Sequence, residues 1–214
     1  MNIILKVPFY SNTPDNIHCV QACMKMVLEY FSPDKKLSFE EWDKISCHKE
    51  GLWTWSMASL IWFKKNNFEV INIEAFEYEH FSNEGEKYII DFFGEEVGQS
   101  QIRHSDIQQE IIISRDFIKE IESEIRVPNI QDIRSLLKNG FVVVCSINAN
   151  ALDDLEGYSG HSIVVKGCTD SGLIIQDPGL PPRQDYEVCD AQFYKSWAYP
   201  DEKAPNLTAF KLNI

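Results

Sequence analysis

Asn12-Thr13-Pro14-Asp15-Asn16-Ile17-His18-Cys19-Val20-Gln21-Ala22-Cys23-Met24-Lys25-Met26-Val27-Leu28-Glu29-Tyr30-Phe31 is a polar, turn-forming lead-in that runs directly into an apolar helix, with a cysteine at the junction. A helix start leaves backbone N–H groups unpaired and presents the positive end of the helix dipole, and both stabilise a thiolate. Cys19 is therefore the candidate nucleophile. Positions Cys19, Ala22, Cys23, Met26, Val27 and Tyr30 recur at helical spacing and predict a broad buried face. Cys23, a turn deeper on that face, is expected to be a packing residue.

Far downstream lies Gly157-Tyr158-Ser159-Gly160-His161-Ser162-Ile163-Val164-Val165-Lys166-Gly167, followed by Leu173-Ile174-Ile175-Gln176-Asp177-Pro178-Gly179. The pattern predicts a hairpin of residues 161–168 and 173–176 around Asp170-Ser171-Gly172, with Gly172 in the left-handed conformation. Such a loop pairs Val165 with Asp177 and leaves the acid short of His161. Contact between the two then requires the chain to bend back at Pro178 and Gly179, and otherwise Asp153 or Asp154 orients the imidazole.

Outward from these two stretches, residues 2–7 read as a short strand, and Ser38-Phe39-Glu40-Glu41 has the spacing of a capping box opening a helix toward Ile45. Trp53 and Trp55 lead into a third helix that ends near Asn66, and residues 68–76 read as a strand. Residues 77–126 are glutamate-rich and predict a mostly helical insertion, with helical patches at 86–93 and 107–125 and a joint at Gly94-Glu95-Glu96-Val97-Gly98. A Gly-stopped amphipathic helix (129–140), a β-branched strand (141–147), a loop (148–160), a rigid turn at Gly179-Leu180-Pro181-Pro182 and a last strand (207–212) follow. Helices early and an antiparallel sheet late make an α+β protein, and 214 residues suffice for one domain spanning 1–214.

A net charge of -13 argues against nucleic acid or an anionic membrane as partner, since such binding draws on clustered Lys and Arg. The N-terminus lacks the marks of a secretion signal and no apolar run approaches about 18 residues, so a cytoplasmic location is expected. In that setting the six cysteines read as reduced. His18-Cys19 and Cys47-His48 hold the donor inventory of a zinc site, but neighbouring residues point apart and no Cys-x-x-Cys hook is present. No metal is expected, and no cofactor.

An early cysteine, a histidine at a strand start and then an acid follow the chain order of papain-like thiol enzymes. The motifs resemble the peptidase C39-like branch of those proteases: Val7-Pro8-Phe9 opens, Cys19 precedes Met26-Val27-Leu28, and Gly160-His161 and Asp177-Pro178 come later. The resemblance covers roughly residues 7–31 and 130–197 and leaves the acidic middle unmatched. It implies a papain-like fold, with the helix that starts at the nucleophile packed on a C-terminal antiparallel sheet. It implies further a peptide or protein substrate cleaved by Cys19, His161 as base and Asp177 as its orienting acid. The family's oxyanion Gln is matched by the shorter Asn12, with Asn16 and Gln21 as alternative donors, and Val20-Gln21 stands where the family commonly has Gly-Pro. An acyl or aminoacyl transferase on the same residues, or an inactive peptide-binding module, are the other functions this pattern permits.

Overall fold

Local signals account for the first helices of the structure, a computed structural model that describes residues 2–213. Strand β1 (Ile3–Ile4) is followed by α1 (Cys19–Phe31), which begins at the cysteine itself with His18 at its N-cap. Ser38 opens α2 (Phe39–Ile45) with the predicted capping box: its hydroxyl accepts from the Glu41 N–H and the Glu41 carboxylate accepts from the Ser38 N–H. Then come α3 (Met57–Lys65) and β2 (Phe68–Glu74).

The acidic stretch is largely helical, as expected, but its partition differs. It holds α4 (Tyr78–Glu84), α5 (Glu86–His104) and α6 (Ile107–Glu120), then β3 (Ser123–Ile125), where the sequence reading continued a helix. Gly94 has φ 76° and ψ 175°, so α5 is broken at the glycine joint the sequence marks. Helix α6 stops at Glu120 because the next residues align parallel to β2, Asn72 opposite Ser123.

The second half supplies α7 (Ile130–Lys138), β4 (Val142–Asn148), the single turn α8 (Ala149–Leu152), β5 (Gly160–Cys168), β6 (Gly172–Asp177), β7 (Arg183–Cys189), α9 (Asp190–Trp197) and β8 (Asn206–Leu212). The sheet runs β3-β2-β8-β4-β5-β6-β7, with β1 paired to β5. Every pairing is antiparallel except β2 with β3. The early strand β2 joins it beside β8, so the sheet is C-terminal in bulk and not throughout.

Strand β4 shows how the layers form. Val142 and Val144 face one cluster, built with Met26, Val27, Trp42 and Phe63 from the early helices. Val143, Cys145 and Ile147 face the other, with Ile133 and Leu137 of α7 and Phe193 and Trp197 of α9. Its β-branched run is thus buried on both sides, between helical layers.

The hairpin register departs from expectation in a way that matters for the site. The β5–β6 register shifts between Val165 and Gly167, placing Val165 opposite Ile175 and Val164 opposite Gln176. Continued one step, it sets Asp177 across from Ile163, one diagonal from His161, so no backward bend is needed. Gly172 is not left-handed. It opens β6, and a Cβ there would lie 2.3 Å from the Val188 carbonyl oxygen, so the glycine serves the close approach of β7.

Candidate active site

Cys19 is partly covered at the start of α1, where the turn of residues 12–18 delivers the chain. That turn is tied from within: Asn12 Oδ1 accepts from the His18 N–H at 2.8 Å and the Thr13 N–H at 2.9 Å. It is also tied to the far end of the chain, since the Asn12 N–H donates to the Pro178 carbonyl at 2.7 Å and Gln176 Nε2 donates to the Val7 carbonyl at 3.1 Å. Residues 12 and 178 are thereby held together, and the Cys19 helix start with them.

His161 is the second residue of β5 and is buried. Its Nε2 donates to Asp177 Oδ1 at 2.7 Å, which leaves Nδ1 for Cys19. Burial pushes the Cys19 thiol up, but the His161 hydrogen bond, the imidazolium charge and the Ser162 and Val20 N–H groups outweigh it and hold the thiol below its ordinary value. For His161, burial disfavours the charged ring, yet Asp177 and Cys19 overcome it and raise the pKa to about 10. Both shifts act in the direction of the thiolate–imidazolium form of the pair.

Asp177 is held ionised, at about 2, because burial is outweighed by His161, the Gly179 N–H and Arg183. Oδ1 accepts from His161 and from the Gly179 N–H at 2.9 Å, and Oδ2 accepts from Arg183 Nε at 2.8 Å with Nη2 at 2.6 Å. Gly179 fits because a Cβ there would stand 3.2 Å from His161 Nε2. Asp153 pairs with Arg183, and Asp154 with Lys195. Neither is paired with His161. Arg183 escapes a reading of sequence because its segment looks like surface, although the alternation of Arg183-Gln184-Asp185-Tyr186-Glu187-Val188 marks an edge strand.

The three amide candidates separate clearly. Gln21 is fully buried and donates through Nε2 to Asp43 Oδ1 and Thr54 Oγ1, so both its N–H groups are taken. Asn12 is buried and gives one N–H of Nδ2 to Asn16 Oδ1 at 3.0 Å. Asn16, at φ 61°, lines the cleft beside Cys19, and its Nδ2 donates to no group among the described residues. The cleft is further walled by Trp53, Trp55, Phe93, Tyr158 and Tyr199. Trp53 is stacked on His104, with ring centroids 4.6 Å apart, and Trp55 on Phe81 at 5.1 Å.

The profile of the Peptidase_C39 like family matches residues 4–204, across the acidic middle as well as the two ends. The chain belongs to the Peptidase_C39 like family. Solved structures agree on the fold. A putative C39-like peptidase from Bacillus anthracis is 14% identical, with TM-score 0.52, over 100% of this chain and 98% of that one. A double glycine motif protease from an AMS/PCAT transporter, solved with its leader peptide, is 14% identical with TM-score 0.51 over 98% and 94%. The peptidase domain of Streptococcus ComA, a bi-functional ABC transporter, is 12% identical with TM-score 0.52 over 97% and 99%. No curated protein matches the chain. These likenesses make the α+β architecture the papain-like fold of C39 peptidase domains. Among the described residues no helix is long and apolar enough to cross a membrane.

Proposed function

We propose that the protein is a cysteine peptidase, or a closely related amide-cleaving thiol hydrolase, with Cys19 as nucleophile, His161 as base and then acid, and Asp177 as the group that orients the imidazole. The supporting observation is the 2.7 Å hydrogen bond from His161 to Asp177, with the same buried imidazole beside Cys19 holding its thiol low and the Asp177 carboxylate held ionised. In this reading the Cys19 sulfur attacks a carbonyl carbon, and His161 returns its proton to the leaving amine. Water, deprotonated by the same ring, then releases the acyl group. The developing oxyanion meets the Cys19 N–H, at the positive end of α1, and an asparagine amide. Asn12 holds Asn16 through its own N–H, and of the two Asn16 lies nearer the cleft.

A peptide is the substrate class this reading favours, by analogy with the neighbour solved with a leader peptide and because the cleft beside Cys19 is walled by aromatic side chains. Cys19→Ala and His161→Ala are each expected to abolish cleavage of a peptide library with the fold intact, the double variant being scarcely worse than either. Full turnover in Cys19→Ala would remove the reading. The intact set of groups favours this reading over an inactive binding module.

A further inference from the structure

We propose that His18, Asp43 and His48 form a three-ligand site for a divalent transition metal, Zn²⁺ foremost, with the remaining position open to water. One donor atom from each side chain lies within 4.8 Å of the other two, at the junction of the α1 N-cap, α2 and the loop after it. Tetrahedral ligands about 2.0–2.1 Å from zinc stand roughly 3.4 Å apart. His18 Nε2 and Asp43 Oδ1 are already 3.3 Å apart, and small side-chain rotations bring in His48.

The hydrogen bonds around the cluster assign the free lone pairs. Thr13 Oγ1 donates to Asp15 Oδ1 at 2.6 Å, so the contacts of His18 Nδ1 with Thr13 Oγ1 (2.6 Å) and Asp15 Oδ1 (3.2 Å) require Nδ1–H as donor. The Nε2 lone pair then faces a carboxylate oxygen, and two acceptors at 3.3 Å need a cation between them. A proton would serve that pair alone; a His48 donor nitrogen within 4.8 Å of both atoms supplies the third ligand that a transition metal takes and a proton does not. Each ligand is also oriented from behind: His48 Nδ1 lies 2.8 Å from Thr54 Oγ1, and Gln21 Nε2 donates to both Asp43 Oδ1 and Thr54 Oγ1. Two imidazoles and one carboxylate suit zinc or its neighbours rather than magnesium or calcium. The cysteines beside the two histidines have no part in this set.

A bound ion would join the residue preceding Cys19 to α2, and the site stands whether or not the chain hydrolyses peptides. The test is Zn²⁺ added to the metal-free Cys19→Ser variant, which takes the thiolate out of the competition. One equivalent is expected to bind, and the unfolding midpoint to rise by about 5–10 °C at metal one hundred times Kd. Asp43→Asn and His48→Ala in the same background are expected to weaken binding at least about 10-fold. Co²⁺ in place of zinc reports on the unmutated ligand set: its spectrum is expected to show ligand-field bands without the near-ultraviolet absorption of a cobalt–thiolate bond. Absence of binding, binding that both ligand variants leave unchanged, or a cobalt–thiolate band would each overturn the site.

Discussion

His161 makes two demands on its neighbours, one for each ring nitrogen, and the chain meets them from residues 19 and 177. Because thiolate and imidazolium stabilise each other, Cys19 is expected to react with iodoacetamide well below the pH at which an ordinary thiol, of pKa about 8.5, does so. Cys23 and Cys145, whose thiols are pushed up by burial, should label slowest. Peptide mapping across pH measures both, and earlier labelling of Cys23 would sink the assignment. Asn16→Ala is expected to lower kcat by about 10²-fold with KM little changed, as for a donor that acts on the oxyanion. Asn12→Ala should cost rate less and stability more, since it unties the turn before α1; steady-state kinetics and urea midpoints on the two variants distinguish them. The proposed nucleophile Cys19 is legible in the sequence because a helix start is a local signal, and its proposed partners His161 and Asp177 because their motifs are short. Arg183 and the difference between Asn12 and Asn16 are not, since one depends on the pairing of β6 with β7 and the other on a left-handed residue in an irregular turn.

Elements show the same division. Helices α1, α2 and α7 and strands β4 and β5 carry strong periodic or capping signals and lie where these put them. Strands β3 and β7 escape the sequence because both are polar edge strands that owe their conformation to one neighbour, and β3 is in addition only three residues long. Gly172 was misread for a related reason: the turn composition was plain, but the irregularity between Val165 and Gly167 that alters the pairing leaves no local mark. Gly172→Ala is expected to destabilise the fold by about 1–3 kcal/mol, because the new methyl group meets a backbone carbonyl of β7 that cannot step aside. Gly94→Ala meets nothing within 4 Å, but at φ 76° and ψ 175° it would hold a side chain in a backbone region that glycine almost alone occupies, at a cost of about 1–3 kcal/mol. Urea unfolding of the two variants provides the comparison, and a neutral Gly172→Ala would contradict the described packing.

At the scale of the molecule, one buried acid links the helical middle to the cleft. Glu110 of α6 is 4% exposed, accepts the backbone N–H of Trp55 on the cleft wall and has its Oε2 without a partner. Burial raises its pKa from 4.5 to about 8. Between those values the folded chain keeps a proton that the unfolded chain has lost, so this group's share of stability falls as pH rises through that window. Glu110→Gln is expected to flatten that dependence and to be more stable than the unchanged protein at pH 8, by a few kcal/mol at most. Denaturation midpoints from pH 5 to 9 measure it, and identical profiles would count against the assignment. Finally, the tie between Asn12 and Pro178 has a consequence in time. The two sides of the site are separated by most of the chain, so closing them together is among the costliest loops the fold has to form. A growing chain on the ribosome holds Cys19 long before it holds the imidazole and the carboxylate. The surroundings that lower its thiol are absent until β5 and β6 are in place, so the Cys19 environment forms only as the sheet assembles.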